Sequence, residues 1–102
     1  MTIKVIVELK AKPGGRDELR RMFENMLAQQ APTLSGFLGS TRHEVLDDPD
    51  VLVEIADWDS AEARDAHLQE AAATGAFAPL VELLAEPVRA IVLAELPQAG
   101  AG

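Results

Sequence analysis

The chain has 102 residues, 48% of them hydrophobic, with 9 Lys and Arg against 17 Asp and Glu and a net charge of −8. One domain fits that length, and the acidic balance opposes nucleic acid and anionic membrane surfaces, which both recruit basic side chains. Cysteine is absent, which excludes disulfides, thiolate metal sites and cysteine nucleophiles.

Residues 3–9, IKVIVEL, alternate Ile3, Val5, Val7 and Leu9, the period of a half-buried strand. Pro13, Gly14 and Gly15 break the pattern. From Arg16 the period changes: Leu19, Met22, Phe23, Met26 and Leu27 share one helical face, with Asp17 and Glu18 in the first turn. Pro32 ends this helix. Residues 37–46 predict a second strand that Gly39 weakens. DDPD at 47–50 predicts a turn, and 51–58, VLVEIADW, a third strand, making an antiparallel hairpin. Asp59 is the expected cap of a second helix, with Glu62 completing a capping-box-like pair. That helix reaches about Ala72, and a short one follows around Phe77–Leu84, with Pro79 near its start. Residues 86–96 predict the last strand. The expected division is one domain over 1–96 and a tail over 97–102.

The order βαββαβ predicts an α+β, ferredoxin-like fold, a four-stranded antiparallel sheet with helices on one face. Each strand nevertheless has one apolar face and one mixed face, so both sides of the sheet carry apolar residues. A homodimer joined through its sheet faces covers the second side economically. No apolar run approaches the ~20 residues of a membrane helix, and MTIKVIVELK lacks the apolar core of a secretory leader. No membrane partner and a cytoplasmic location are expected.

Five residues stand out as chemistry. Glu8, Glu54, Trp58 and Arg89 are expected on one mixed side of the strands, where Arg89 can offset the carboxylates; the same set also reads as a solvated ion pair. Trp58 suits either a core or a pocket wall, since indole offers a flat face and one N–H donor. His67, between Ala63 and Ala71 at helical spacing, is either a surface residue or a proton acceptor near neutral pH. Trp58 and His67 are expected to border one cavity, with His67 above the middle of the third strand and Trp58 nearer the mouth. His43 and His67 lack the spacing of a metal pair, so no metal is expected. No phosphate loop, dinucleotide fingerprint or nucleophile elbow is present.

Nearly the whole chain resembles the antibiotic-biosynthesis monooxygenase family of dimeric α+β barrels. VELKAKPGGRDELRRMF at the first strand–helix junction, GFLGSTRHEVLDDPDVLVEIADWDSAEARDAHL in the middle and FAPLVELL before the last strand carry the resemblance. Its most specific part is W-x-S-x-E-A-x-x-x-H-L, here Trp58, Ser60, Glu62, Ala63, His67 and Leu68. The resemblance implies sheet-to-sheet dimerisation and a monooxygenase that oxidises a small aromatic or quinoid metabolite with dioxygen and no cofactor. In that chemistry a phenolic substrate is deprotonated and its anion reduces dioxygen directly. Trp58 and His67 then stand as catalytic residues, the indole N–H stabilising the substrate anion and His67 acting as base. Glu54 and Arg89 stand as substrate-binding residues, Arg89 holding an oxyanion. The chain departs from haem-degrading relatives, which use an Asn on the first strand: its one Asn is Asn25, on the first helix. Ala56 replaces a Glu that many relatives carry two residues before the Trp, and tyrosine is absent. The alternative reading is a non-catalytic dimeric protein of the same fold that binds a small-molecule ligand without turnover.

Overall fold

The computed structural model describes residues 2–97, and most of the expected tail, residues 98–102, lies outside them. The elements follow in the order β1 (Ile3–Lys10), α1 (Arg16–Gln30), β2 (Phe37–Val45), β3 (Asp48–Trp58), α2 (Ala61–Thr74), α3 (Ala78–Val81) and β4 (Arg89–Leu93), with a single 3₁₀ turn at Ala31–Thr33. The strands form one antiparallel sheet in the order β2-β3-β1-β4. The helices cover one face, which makes the fold α+β and ferredoxin-like.

Alternation builds β1: Ile3, Val5 and Leu9 are buried toward the helices, while Lys4, Ile6, Glu8 and Lys10 point to the open face. On α1, Leu19 and Phe23 supply the buried ridge. Fully burying side chains such as Leu9 and Leu19 contributes roughly 1.5–3 kcal/mol each. Two clusters result. Leu9, Leu19, Phe23, Leu52, Leu80 and Leu84 form one, Ile3, Val5, Ala56 and Trp58 the other, and Val7 packs against both.

Several boundaries differ from the sequence expectation. Val45 pairs with Asp48, so the hairpin turn is only Leu46–Asp47, and Asp48, Pro49 and Asp50 belong to β3. Pro49 is tolerated near a strand start, where a missing N–H costs little. β4 is shorter than expected because Lys4 pairs with Leu93 and β1 begins at Ile3, which leaves little strand for later residues to pair with. The cap of α2 is Ser60, whose Oγ accepts from the Ala63 N–H at 3.1 Å. Asp59 is not the cap, because its own N–H is still engaged with the Gly36 carbonyl at 2.8 Å. Gly75 closes α2 in the left-handed conformation.

Register corrects the expected faces. Glu8 lies opposite Val53 and Arg89, whereas Glu54 lies opposite Val7. Glu8 and Arg89 therefore share the open face, and Glu54 and Trp58 share the helix-covered face. Alternation fixes which residues of one strand go together but not how neighbouring strands align. The open face carries Ile6, Val53, Ile55, Ile91 and Leu93, framed by the ion pairs Lys4–Asp57, Lys10–Asp48 and Glu8–Arg89.

Candidate functional site

A bulge at the start of β2 sets the first wall of the site. Ser40 pairs with Ala56 and Gly39 with Asp57, but Trp58 pairs with Phe37 rather than Leu38. The extra residue rotates Phe37 from the open face onto the helix face. Gly39, at φ 132°, supplies the backbone conformation. Phe37 then packs edge-on against Trp58, with ring centroids 5.2 Å apart. Just before it, Gly36 sits at φ 86°, and a Cβ there would collide with Asp59 and Ala63. This missing side chain lets the start of α2 lie against β2.

α2 consequently brings His67 onto Trp58. The two rings stack at 5.7 Å with 26° between planes, and Phe77 meets the imidazole edge-on at 5.9 Å. These rings form one end of a cavity of about 300 Å³ between the sheet and the helices, at the small end of the ~300–1,000 Å³ typical of ligand sites. Val5, Val7, Leu9, Phe23, Met26, Leu27 and Leu80 line the rest with hydrocarbon. The cavity lies where the two core clusters fail to merge, and Val7 spans the gap.

The polar groups in this wall are few: Gln30, Glu54, Arg64 and His67, with the indole of Trp58. No fully buried side-chain nitrogen or oxygen among the described residues lacks a partner. Among the described residues the Trp58 N–H has no acceptor, and the indole lines the cavity. Burial pushes the His67 imidazole below its usual 6.5; Glu70 opposes this and Arg64 reinforces it. The ring is therefore neutral at physiological pH and can accept a proton. Glu54 is 8% exposed. Burial raises its carboxyl above the usual 4.5, against the Ser40 hydrogen bond and the Arg42 charge.

The structure thus brings Trp58, His67 and Glu54 to one cavity and leaves Arg89 outside it. Arg89 points to the open face, 4.0 Å from Glu8, because it pairs with Glu8 rather than Val7. It cannot hold an oxyanion in this cavity. Trp58 is only 5% exposed and lies away from the mouth. The exposed lining residues Val81, Val88 and Ala90 put the opening toward α3 and β4. His67 lies against Trp58, not over Glu54; helical rise alone neglects side-chain reach and sheet twist. His43 lies on the open side, its Nε2 2.8 Å from Thr41 Oγ1. Among the described residues, no three His, Cys, Asp or Glu side chains gather in a group that could hold a metal ion.

Sequence reasoning missed Arg64, Phe37 and the Ser40–Arg42 pair. Arg64 was accessible to it: Arg64 and His67 stand three apart on one helical face. Phe37 was not, because its side depends on the bulge.

A family model for antibiotic biosynthesis monooxygenases matches residues 2–79, and the chain belongs to that family. The structure is similar to that of Rv0793 from Mycobacterium tuberculosis, at 27% identity and TM-score 0.77, covering 98% of this chain and 100% of that one. It shares its fold with the ActVA-Orf6 monooxygenase of Streptomyces coelicolor, solved with nanaomycin D, at 21% identity and TM-score 0.75 over 94% and 92% of the two chains. The fold also matches SnoaB, a cofactor-independent oxygenase from Streptomyces nogalater, solved as the mutant N63A, at 18% identity and TM-score 0.77 over 95% of each chain. Among curated proteins, none matches the chain.

Proposed function

We propose that the protein is a cofactor-independent monooxygenase that oxidises a small hydroxylated aromatic or quinoid metabolite with dioxygen. The observation that carries this reading is the Trp58–His67 stack at the end of an apolar cavity, with a neutral imidazole and an unpaired indole N–H. Family membership and the shared fold of two oxygenases support it.

His67 removes the proton from a phenolic O–H of the substrate. The Trp58 N–H and the Arg64 guanidinium, both at the cavity wall, stabilise the resulting oxyanion in place of the expected Arg89. The phenolate passes one electron to dioxygen, and recombination forms a C–O bond at the electron-rich ring carbon. The imidazolium returns its proton to the peroxide. His67 then takes the hydrogen on that carbon as a proton while the O–O bond breaks. The carbon becomes a carbonyl, and hydroxide leaves and recovers the proton as water. For α-naphthol the sum is naphthol plus dioxygen to naphthoquinone plus water, with all four electrons supplied by the substrate. Hydrocarbon walls exclude water from the anion and the peroxide.

The protein acts as a homodimer in this reading. Ile91 is 54% and Leu93 39% exposed on the open sheet face, and a second sheet face is the complementary cover. One observation favours the rival, a dimeric binding protein without turnover: the His67 ring is already flanked by Trp58 and Phe77, as a packing residue would be.

Dioxygen uptake with α-naphthol separates the two. Wild-type protein should consume dioxygen without added flavin, metal or reductant, and Trp58→Phe and His67→Ala should each lose that uptake. Ligand-dependent thermal stabilisation with no uptake would establish the binding protein.

A further inference from the structure

Four polar side chains form a line from the surface of α1 to the cavity. Glu24 on α1 accepts from Arg42 Nε at 3.0 Å. Arg42 Nη1 donates to both the Ser40 Oγ and the Ser40 carbonyl at 3.1 Å. Ser40, opposite Ala56, is the diagonal neighbour of Glu54 across the β2–β3 ladder, and its hydroxyl and the Arg42 charge both favour the ionised Glu54 carboxyl. Glu54 lies opposite Arg42 across the β2–β3 ladder and ends the line in the cavity wall. A surface ion pair would stop at Glu24 and Arg42. Here the Arg42 side chain is 24% exposed and turned inward to a hydroxyl on the strand beside a buried carboxyl.

A carboxylate has about four lone-pair sites, and the Ser40 hydroxyl, with its single proton, can fill only one of those on Glu54. The neighbours of Glu54 on β1 are apolar, Val7 and Leu9, and α1 presents Phe23 and Met26. The charged or titratable groups facing the cavity from other elements are Arg64 and His67 of α2, at the Trp58 end. Trp58 and Glu54 are four positions apart along the strand, about 13 Å between backbone positions. An acceptor with free lone pairs thus faces an apolar space, part-way along the cavity wall from the stacked rings. Burying it there is costly unless a donor arrives.

We propose that Ser40 and Arg42 are positioning residues that hold Glu54 as a hydrogen-bond acceptor, and that the ligand is a hydroxylated aromatic of two or more rings carrying a second donor that meets Glu54. This rests on the cavity being the ligand site proposed above. Glu54 reads the far hydroxyl of the substrate, while His67 and Trp58 act on the near one. Arg42 and Ser40 touch no ligand and act through Glu54.

The test is anaerobic equilibrium dialysis with a dihydroxynaphthalene bearing one hydroxyl on each ring, compared with its monomethyl ether. The full chain should bind the diol about tenfold more tightly than the ether. Glu54→Met should abolish that preference, and Ser40→Ala, which leaves the Glu24–Arg42 pair intact, should reduce it severalfold. Carbon NMR of the Glu54 carboxyl supplies a readout that a purely structural role would not move. Its protonation midpoint should rise in Ser40→Ala and Arg42→Ala and recover in part in Arg42→Lys, which restores the charge without the fork. Equal binding of diol and ether, or a midpoint and preference unmoved by Ser40→Ala and Arg42→Ala, would overturn the proposal. Because no turnover is needed, a tenfold preference without oxidation supports this inference while failing the monooxygenase. Oxidation without the preference does the reverse.

Discussion

At the scale of single residues, environment decides the chemistry of two titratable groups. His67 is held below 6.5, chiefly by burial, so kcat/KM should stay level through neutral pH and fall as acid protonates the base. The unfolded chain binds this proton more readily than the folded one, so His67 also withdraws stability as pH drops below 6.5. His67→Ala should lower turnover by about 10²–10⁴, remove the acidic limb of the pH profile and leave the fold intact by circular dichroism. Glu54 has the opposite sign. Its carboxyl is raised above 4.5, so the stability it contributes is present below that pH and is lost as pH rises and the charge forms. Glu54→Gln should therefore have a higher Tm than wild type at neutral pH, the gap closing as pH falls below 4.5. A melting series across pH checks this. The sequence made Trp58, His67 and Glu54 visible as types, since each is unusual in its apolar surroundings. It hid that Glu54 and Arg89 face opposite ways, because that depends on strand register.

At the scale of elements, two glycines on either side of Phe37 shape the site. Gly39 permits the bulge that turns Phe37 inward, and Gly36 permits the close approach of α2. Gly36→Ala puts a side chain at φ 86° and into Asp59 and Ala63. Backbone strain alone costs about 1–3 kcal/mol. The expected result is a Tm lowered by more than about 4 °C, and a weakened fluorescence response of Trp58, the single tryptophan, to α-naphthol. Gly39 was legible as a defect in a strand. That the defect aims an aromatic ring into the cavity was not, since a bulge reverses face parity and nothing in the residue types records it. The cap of α2 was misread for a related reason: Asp59 and Ser60 are both good caps, and only the Asp59 N–H bond to Gly36 decides between them.

At the scale of the whole molecule, the order of elements was legible because helical and strand periods alternate cleanly from Ile3 to Trp58. Apolar residues on both sheet faces were equally legible, and they motivate the proposed assembly. The proposed homodimer predicts a sedimentation mass of about twice the 10.9 kDa chain at micromolar concentration. Ile91→Lys, which places an unpaired charge in the open face, should give monomers. A wild-type monomer under those conditions would remove the sheet-packed barrel. The central claim is oxygen transfer in the cavity, and isotopically labelled dioxygen tests it most directly. With α-naphthol, mass spectrometry should find one labelled oxygen in the naphthoquinone, and the second in water, at a rate that collapses in His67→Ala. Unlabelled quinone, or bound α-naphthol recovered unchanged under dioxygen, would contradict the account.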